Sequence, residues 1–282
     1  MKVDAHFHAW QLARDDYGWL TPALAPIYRD VDVADWAEQA AGCGIHAGLL
    51  VQAAPTAAET AFLLQQARGH PQRVRGVIGW VDLLAADSAS QVHALAREPL
   101  LKGLRPMLQD IADTDWIEQP AAQPALAAKA ETGLVFDALI QPRHLAVIAR
   151  LAQRHRRLRI VVDHGAKPAM DGPVDQPPGR AWRDGLAELA AGTEAQRVMC
   201  KLSGLWTEAP SGQPCAHVRP WAQALLELWG SDRLIWGSDW PVLELAGDYG
   251  SWHRFSLELL AGLSAEQQAA VLGGNAQAMY RL

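Results

Sequence analysis

The feature that most constrains the fold of this chain is the alternation of short apolar runs with longer amphipathic segments. The runs are rich in Val, Ile and Leu and almost continuously apolar, as strands buried on both faces of a parallel sheet are. They cover residues 2–7, 46–52, 74–81, 101–105, 134–140, 159–163, 197–202 and 234–237. Ala- and Leu-rich segments between them predict helices, among them 33–41, 56–69, 88–97, 142–155 and 220–229.

The alternation of strands and helices predicts right-handed βαβ units and a parallel sheet. Eight strands in 282 residues favour a closed α/β (β/α)₈ TIM barrel, with an open doubly wound sheet as the alternative. No domain boundary is visible, so we expect a single barrel domain over residues 1–282. Two irregular stretches, 167–179 and 207–214, follow the sixth and seventh strands, on the side where barrels keep their active sites.

Composition disfavours several functional classes. Lys and Arg number 25 against 31 Asp and Glu, and the net charge of −6 argues against nucleic acid or an anionic membrane as partner. No apolar run reaches the ~18 residues of a membrane span, and no signal-peptide core follows the start MKVDAHFH. Three widely spaced cysteines form neither a disulfide framework nor a metal motif, so we expect a cytoplasmic protein. These features do not predict an oligomeric state.

Two histidines stand at the end of the first predicted strand, in the segment DAHFH. His6 and His8 are two residues apart and so point to the same face of a strand. If Val3 and Ala5 pack outward, both imidazoles point into the barrel mouth. Paired imidazoles suit a borderline metal such as Zn²⁺. Two unrelated polar residues are the alternative, but the place at the end of strand one favours a functional pair.

Two further polar residues end other strands. His164 follows the segment IVVD, an apolar strand that ends in Asp, on strand six, and Asp239 follows LIWGS on strand eight. Strand eight neighbours strand one in a closed barrel, so Asp239 can reach His6 and His8. A carboxylate beside imidazoles can ligate a metal, accept a proton from water, or both. Taken singly, His164 could be structural and Asp239 a helix cap; the combination predicts an active centre.

Other polar and aromatic residues fall at the same predicted rim. Arg105 ends strand four, where its guanidinium can hold a substrate oxygen or carboxylate. Asp137 and Lys201 lie inside apolar strands and need a partner or a ligand, so an interior salt bridge and a substrate contact are both open. The predicted substrate-binding residues are therefore Arg105, Asp137, Gln141, Lys201, Trp10 and Trp240.

Together these motifs resemble the amidohydrolase superfamily, and within it the amidohydrolase-2 branch that contains dicarboxylate lactonases and sugar lactonases of the L-fucono-lactonase type. The resemblance covers nearly the whole chain, through VDAHFHAW, KGLRPMLQD, GLVFDALIQPRHL, IVVDHGAKP, VMCKLSGL, LIWGSDWPV and GGNAQAMYRL. It implies that His6 and His8 are the family's strand-one pair, His164 its strand-six histidine and Asp239 its strand-eight aspartate, with all four as metal ligands.

The chain also departs from the superfamily's two-metal pattern. Two-metal members carry a carboxylated lysine or a glutamate on strand four and a histidine on strand five, where this chain has Arg105, then Asp137 and Gln141. The resemblance therefore implies at most one divalent ion. The branch contains members with one ion and members that work without metal, so Zn²⁺ is the favoured but not an obligatory cofactor.

The implied activity is hydrolysis of a sugar-acid (aldono-) lactone in sugar-acid catabolism, with a small-molecule lactone as the partner. Asp239 is expected to take a proton from a water near His6 and His8, and the hydroxide to attack the ester carbonyl. His164, Arg105 or a metal ion would stabilise the oxyanion. Asp239 and His164 are thus the predicted catalytic residues.

Three alternatives stay open at this point. A dicarboxylate lactonase and a metal-dependent decarboxylase share the fold and a similar His/Asp set. A catalytically silent barrel that binds a sugar acid would show stabilisation by ligand without turnover. A nucleotide-binding module is disfavoured, because no GxGxxG or GxxxxGK[ST] pattern follows a strand.

Overall fold

The computed structural model describes residues 1–193 and 197–282, and its strands form one parallel sheet in chain order. Each strand pairs in parallel with the next along the chain. Each strand lies inside a predicted apolar run and is shorter than that run, because hydrogen bonding between strands stops where the chain turns away from the sheet. The strands are β1 Asp4–Phe7, β2 Gly48–Val51, β3 Val74–Gly79, β4 Leu101–Leu104, β5 Val135–Ala138, β6 Ile160–Val162, β7 Val198–Leu202 and β8 Leu234–Trp236.

The barrel closes between β8 and β1 at a short seam. Phe7 pairs with Trp240 in an isolated parallel bridge. The Asp239 amide donates to the His6 carbonyl at 2.8 Å, and the His8 amide donates to the Trp240 carbonyl at 2.8 Å. These contacts join the last strand region to the first, so the predicted TIM barrel is confirmed and the open sheet is excluded.

A buried carboxylate reinforces this seam. Asp4 Oδ1 accepts the amides of Ser238 at 2.8 Å and His6 at 3.1 Å. Its Oδ2 accepts the hydroxyls of Ser238 at 2.6 Å and Tyr249 at 3.0 Å and the indole N–H of Trp36 at 2.9 Å. Because these donors come from three separate parts of the chain, Asp4 ties β1 to the β8 end and to two outer helices.

The helices of the described ranges surround the sheet. The predicted helix 33–41 is reproduced, and α2 starts one residue late because Thr56 caps it by accepting the Glu59 amide at 3.0 Å. None of these helices has the length and apolar composition that a bilayer crossing requires. They are α1 Val33–Ala41, α2 Ala57–Gly69, α3 Ser88–Leu95, α4 Gln123–Thr132, α5 Leu145–Arg154, α6 Gly179–Ala191, α7 Arg219–Arg233, α8 Tyr249–Leu260, α9 Ala265–Ala269 and α10 Asn275–Tyr280.

The hydrophobic core has two parts, as expected for a barrel wrapped in helices. The larger part lies between the strands and the outer helices. The smaller part fills the barrel, with side chains from β2, β3 and β5–β8 and the residues Val3 and Ala5 packed against α10. Helix α10 thus closes the barrel floor, and the polar residues collect at the opposite end.

Candidate active site

The four residues predicted to form the active centre meet at the mouth of the barrel. Asp239 Oδ1 lies 3.5 Å from His6 Nε2, 3.3 Å from His8 Nε2 and 3.7 Å from His164 Nε2. All four side chains are buried. Residues separated by more than 200 positions in the chain are therefore within direct reach of one another.

The packing of β1 around its two histidines differs from the prediction. Val3 and Ala5 belong to the cluster inside the barrel, so the expectation that they pack outward is wrong. The β1–β2 register shifts between Asp4 and Phe7. This bulge interrupts the strict alternation of faces, so that His6 still points inward although Ala5 does too.

His164 and Asp239 both adopt left-handed backbone conformations, with φ of 53° and 59°. Such conformations are uncommon outside glycine, although His and Asp tolerate them better than most residues. Gly204, at φ 61°, lies against both side chains. A Cβ at this position would collide with the His164 ring and lie 3.1 Å from Asp239 Oδ2. The tight turns after β6, β7 and β8 therefore aim these side chains at one point.

Hydrogen bonds orient two of the imidazoles. His8 Nδ1 lies 2.8 Å from the Val51 carbonyl, which can only accept, so Nδ1 carries the proton and Nε2 faces Asp239. The His164 Nδ1 lies 2.9 Å from the hydroxyl of Ser203. Ser203 lies in the CKLSGL motif noted in the sequence, but its contact with His164 could not be read from the motif.

Below the mouth lies a buried charge network centred on Lys201. Its Nζ is 2.7 Å from Asp137 Oδ2, 2.9 Å from Asp163 Oδ1 and 3.2 Å from His6 Nδ1. Tyr280 from α10 donates its hydroxyl to Asp137 at 3.0 Å. For Asp137 and Lys201 the structure thus selects the interior salt bridge of the two alternatives.

Arg105 connects this network to the mouth. Its guanidinium NH1 lies 3.2 Å from Asp163 Oδ2 and 3.2 Å from His6 Nε2, and NH2 donates to the Gln52 carbonyl. Gln52 in turn donates its amide to the Arg105 carbonyl at 2.7 Å. The guanidinium is therefore fixed at the end of β4 with one edge toward the cavity.

Burial and neighbouring charges set the protonation of the centre. Burial, followed by the charge of Lys201, lowers the pKa of His6 well below its ordinary value. Burial also lowers the pKa of His164 to about 4, although Asp239 opposes this. For Asp239, burial raises the pKa, but the positive charge of protonated His164 and the close contact with His8 outweigh it and bring the pKa below its usual range. Near neutral pH the site therefore holds neutral imidazoles at His6 and His164 beside a charged carboxylate.

A cavity of about 260 Å³ opens onto these residues. His8, Arg105, His164 and Asp239 line it, His6 is not among its lining residues, and other lining residues come from the loops around the mouth. The two stretches predicted to be irregular meet here, since Lys167 Nζ lies 2.6 Å from Glu208 Oε1. Sequence reasoning did not single out several of the lining residues, namely Trp19, Met107, Gln109, Asp110, Lys167 and Glu208.

Five predicted substrate contacts lie elsewhere. Asp137 and Lys201 are fully buried in the network. Gln141 is exposed and accepts a hydrogen bond from Arg143. Trp10 and Trp240 are buried and donate to the Arg29 carbonyl and to Glu244. None of the five is among the residues that line the cavity in the described part of the chain, so only Arg105 of the predicted set borders it.

Three of the residues form a group that could hold a metal ion. The ligand atoms of His6, His164 and Asp239 lie within 4.8 Å of one another. His8 Nε2 reaches the same carboxylate from another side, and with Nδ1 protonated it presents a lone pair to Asp239 Oδ1 at 3.3 Å. Two such acceptors attract each other only if a proton or a cation lies between them. The donor set of imidazoles and one carboxylate therefore fits a single divalent ion.

Known proteins resemble this chain along its whole length. The L-fucono-1,5-lactonase of Burkholderia ambifaria is 43% identical over 285 residues, with 100% of this chain and 96% of the relative covered. The L-fucono-1,5-lactonase of Burkholderia multivorans is 34% identical, with the same shares covered. A crystal structure of an amidohydrolase from Burkholderia multivorans with bound Zn superposes with a TM-score of 0.90, at 32% identity and with 100% and 99% of the chains covered.

A family profile described as amidohydrolase matches residues 3–282. This match takes in every element of the barrel and all of the residues that meet at its mouth. The chain therefore belongs to the amidohydrolase family.

Proposed function

We propose that this protein hydrolyses the ring ester of an aldono-1,5-lactone. The observation that carries the proposal is the meeting of a charged carboxylate, a guanidinium and the imidazoles of His8 and His164 at one cavity, with the buried His6 against the same carboxylate. Full-length similarity to two proteins named L-fucono-1,5-lactonase supports a lactone as the substrate class. Catabolism of sugar acids is the metabolic setting that such a substrate implies.

Asp239 is the proposed general base. Its carboxylate accepts a proton from a water molecule held beside the neutral imidazoles of His6 and His164, and the oxygen of that water forms the new bond to the carbonyl carbon. The ring C–O bond then breaks, and the protonated Asp239 returns its proton to the leaving alkoxide. Because the pKa of Asp239 lies below its usual value, this return is strongly favoured. A lactone is an activated ester, so a weak base is enough for the first step.

Arg105 and His164 are the proposed stabilisers of the oxyanion. Both line the cavity, and the guanidinium is held rigidly by Asp163 and the Gln52 carbonyl. A fixed donor costs no reorganisation when negative charge develops on the carbonyl oxygen, and one such donor contributes about 3 kcal/mol. The ion pair of Lys167 and Glu208 supplies further polar atoms at the cavity wall for the hydroxyl groups of the sugar ring.

A divalent ion, with Zn²⁺ favoured, would be held by His6, His164 and Asp239, with His8 beside them. When bound, such an ion supplies polarisation of a carbonyl and lowers the pKa of a bound water. The positive charges of Arg105 and Lys201 lie 3.2 Å from the two ring nitrogens of His6 and would repel a second ion. One ion is therefore the expected maximum.

The proposal is tested with a pH-indicator screen of the purified protein against aldono-1,4- and 1,5-lactones and dicarboxylate lactones. Each assay is run as purified, with chelator and with added Zn²⁺. Ring opening yields a carboxylic acid, so we expect proton release above the spontaneous rate with an aldono-1,5-lactone. Release of CO₂ from an aromatic acid would favour the decarboxylase. Thermal stabilisation by a sugar acid without turnover would favour a binding protein.

A further inference from the structure

A second and larger cavity adjoins the active-site cavity at the barrel mouth. Its volume is about 610 Å³. Trp19, Met107 and Asp110 line both cavities. A molecule bound over Asp239 can therefore extend past this shared wall into the second space. We refer to the second space as the tryptophan chamber, after Trp19, Trp80 and Trp116, which all line it.

The distribution of tryptophans sets this chamber apart. The chain has 12 tryptophans, and outside the chamber every one of them is buried, with the most exposed at 8%. Trp19, Trp80 and Trp116 are only half-buried. The partly exposed indoles are thus concentrated in one cavity beside the active site. Trp19 is also held in place, since its indole N–H donates to the Ala53 carbonyl at 2.8 Å. Fixed, accessible indoles typically bind an apolar face of a ligand.

The two cavities differ in their positively charged residues. Arg105 and Lys167 line the active-site cavity together with the carboxylates Asp110, Glu208 and Asp239. The residues that line the tryptophan chamber in the described ranges include no Lys, Arg or His, but three carboxylates. Asp82 and Asp110 are exposed, and Asp16 is paired with Arg14 at 2.7 Å. A carboxylate on the ligand is repelled by such a rim, whereas hydroxyl groups can donate to it.

An apolar ring face for the indoles and hydroxyl donors for the carboxylates occur together in a neutral pyranose. We propose that the tryptophan chamber is a second subsite that binds a neutral glycosyl unit attached to the lactone ring. The substrate is then a glycosylated aldonolactone, with its ester over Asp239 and its second sugar against Trp80 and Trp116. This inference rests on the proposed lactonase function for the first subsite only.

Binding is measured first, because it does not require turnover. Cellobiose, maltose, lactose and melibiose are titrated by saturation-transfer NMR into the wild type, Trp80→Ala and Trp116→Ala. We expect at least one disaccharide to bind and either substitution to weaken it about tenfold. Tyr28→Ala removes an exposed aromatic side chain that does not line the chamber and serves as the matched control. Unfolding curves establish that each variant is folded.

Kinetics then link the chamber to the reaction. The aldobiono-1,5-lactones of the same four disaccharides share a glucono-1,5-lactone ring, so their kcat/KM relative to that of glucono-1,5-lactone isolates the second sugar. We expect a gain of about tenfold for at least one of them, lost in Trp116→Ala, while kcat/KM for glucono-1,5-lactone changes less than about twofold.

Several outcomes would overturn the inference. One is the absence of disaccharide binding, and another is binding that neither Trp80→Ala nor Trp116→Ala weakens. A third is Trp-dependent binding of tetramethylammonium instead of any sugar, which would assign the chamber to cations. Failure of all lactones in the indicator screen would count against the proposed function alone, because the binding experiment would still decide the nature of the chamber.

Discussion

Two buried carboxylates at the β8–β1 seam have the same side chain but different surroundings. Among the described residues, the donors to Asp4 are all neutral: two amides, two hydroxyls and an indole. Asp239 Oδ1 faces the ring nitrogens of His6, His8 and His164 and borders the cavity. The first carboxylate has fixed donors on both oxygens, whereas the second has neighbours that can exchange protons.

The difference also appears in their acidity. Burial raises the pKa of Asp4, and its hydrogen bonds reduce this effect without reversing it. Burial raises the pKa of Asp239 too, but the charge of protonated His164 and the close contact with His8 bring it below the usual value. A buried carboxylate surrounded by neutral donors therefore serves the fold, while one surrounded by titratable groups is available for chemistry.

The strongest test of this contrast is Asp239→Asn. We expect kcat/KM for the lactone to fall by about 10³-fold or more, because an amide cannot accept the proton of water. The free energy of unfolding should change by less than about 1 kcal/mol, since Asp239 carries few structural hydrogen bonds. Proton-release assays and urea unfolding measure the two quantities. A kcat/KM within tenfold of the wild type would remove Asp239 from the mechanism.

A second prediction concerns how Gly204 positions the His164 ring at the barrel mouth. Gly204→Ala places a methyl group against the His164 ring and should lower kcat/KM by about 30-fold, because a displacement of about 1 Å disrupts the reacting geometry. Gly212→Ala is the matched control: its φ of 79° is also left-handed, but nothing lies within 4 Å of its Cβ position. Equal losses of activity in both variants would mean that backbone strain, and not contact with His164, is the cause.

The third prediction is the opposite of the first: stability should fall and activity should be nearly unchanged. Asp4→Asn should lower the free energy of unfolding by about 2 kcal/mol, because the new NH₂ group must face donors such as Ser238 or Tyr249 in a buried site. The kcat/KM of the folded variant should stay within about threefold of the wild type. Urea unfolding and the proton-release assay measure both effects. A large loss of kcat with unchanged stability would show that the two carboxylates are not separated in role.

Sequence reasoning located the barrel because each strand is a distinct apolar run, such as IVV in β6. It also located His6, His8, His164 and Asp239, because each ends a strand and a closed barrel brings strand ends together. It could not locate Trp19, since the long segment between β1 and α1 carries no periodic pattern.

The strand interiors were less predictable. The inward direction of both Ala5 and His6 depends on a bulge that only strand pairing reveals. The sequence also left open whether Asp137 and Lys201 pair with each other or with substrate, because their distance depends on how β5 and β7 lie across the barrel.

A third buried carboxylate, Glu59, extends the comparison between Asp4 and Asp239. Glu59 accepts the Ala53 amide at 3.0 Å and the Tyr17 hydroxyl at 2.8 Å, and Arg14 lies 3.3 Å away. It thus fixes two loops beside Trp19 without facing the active-site imidazoles. Its donors resemble those of Asp4, so by the same reasoning it should act on stability and not on the chemical step.

The titration of Glu59 gives a prediction for stability alone, with no expected change in the chemical step and with a clear sign. Burial raises the pKa of Glu59 from 4.5 to about 7, so between these values the folded state holds a proton that the unfolded chain has lost. The free energy of unfolding should therefore fall as pH rises from 4.5 to 7, by about 2.5 kcal/mol relative to Glu59→Gln, which cannot titrate. Urea unfolding of both proteins at pH 4.5, 6 and 7.5 measures the difference. Parallel pH profiles of the wild type and Glu59→Gln would mean that Glu59 is ionised throughout this pH range. Arg14 would then stabilise its charge as fully as the imidazoles stabilise that of Asp239. Neutral donors would not by themselves distinguish a structural carboxylate from a catalytic one.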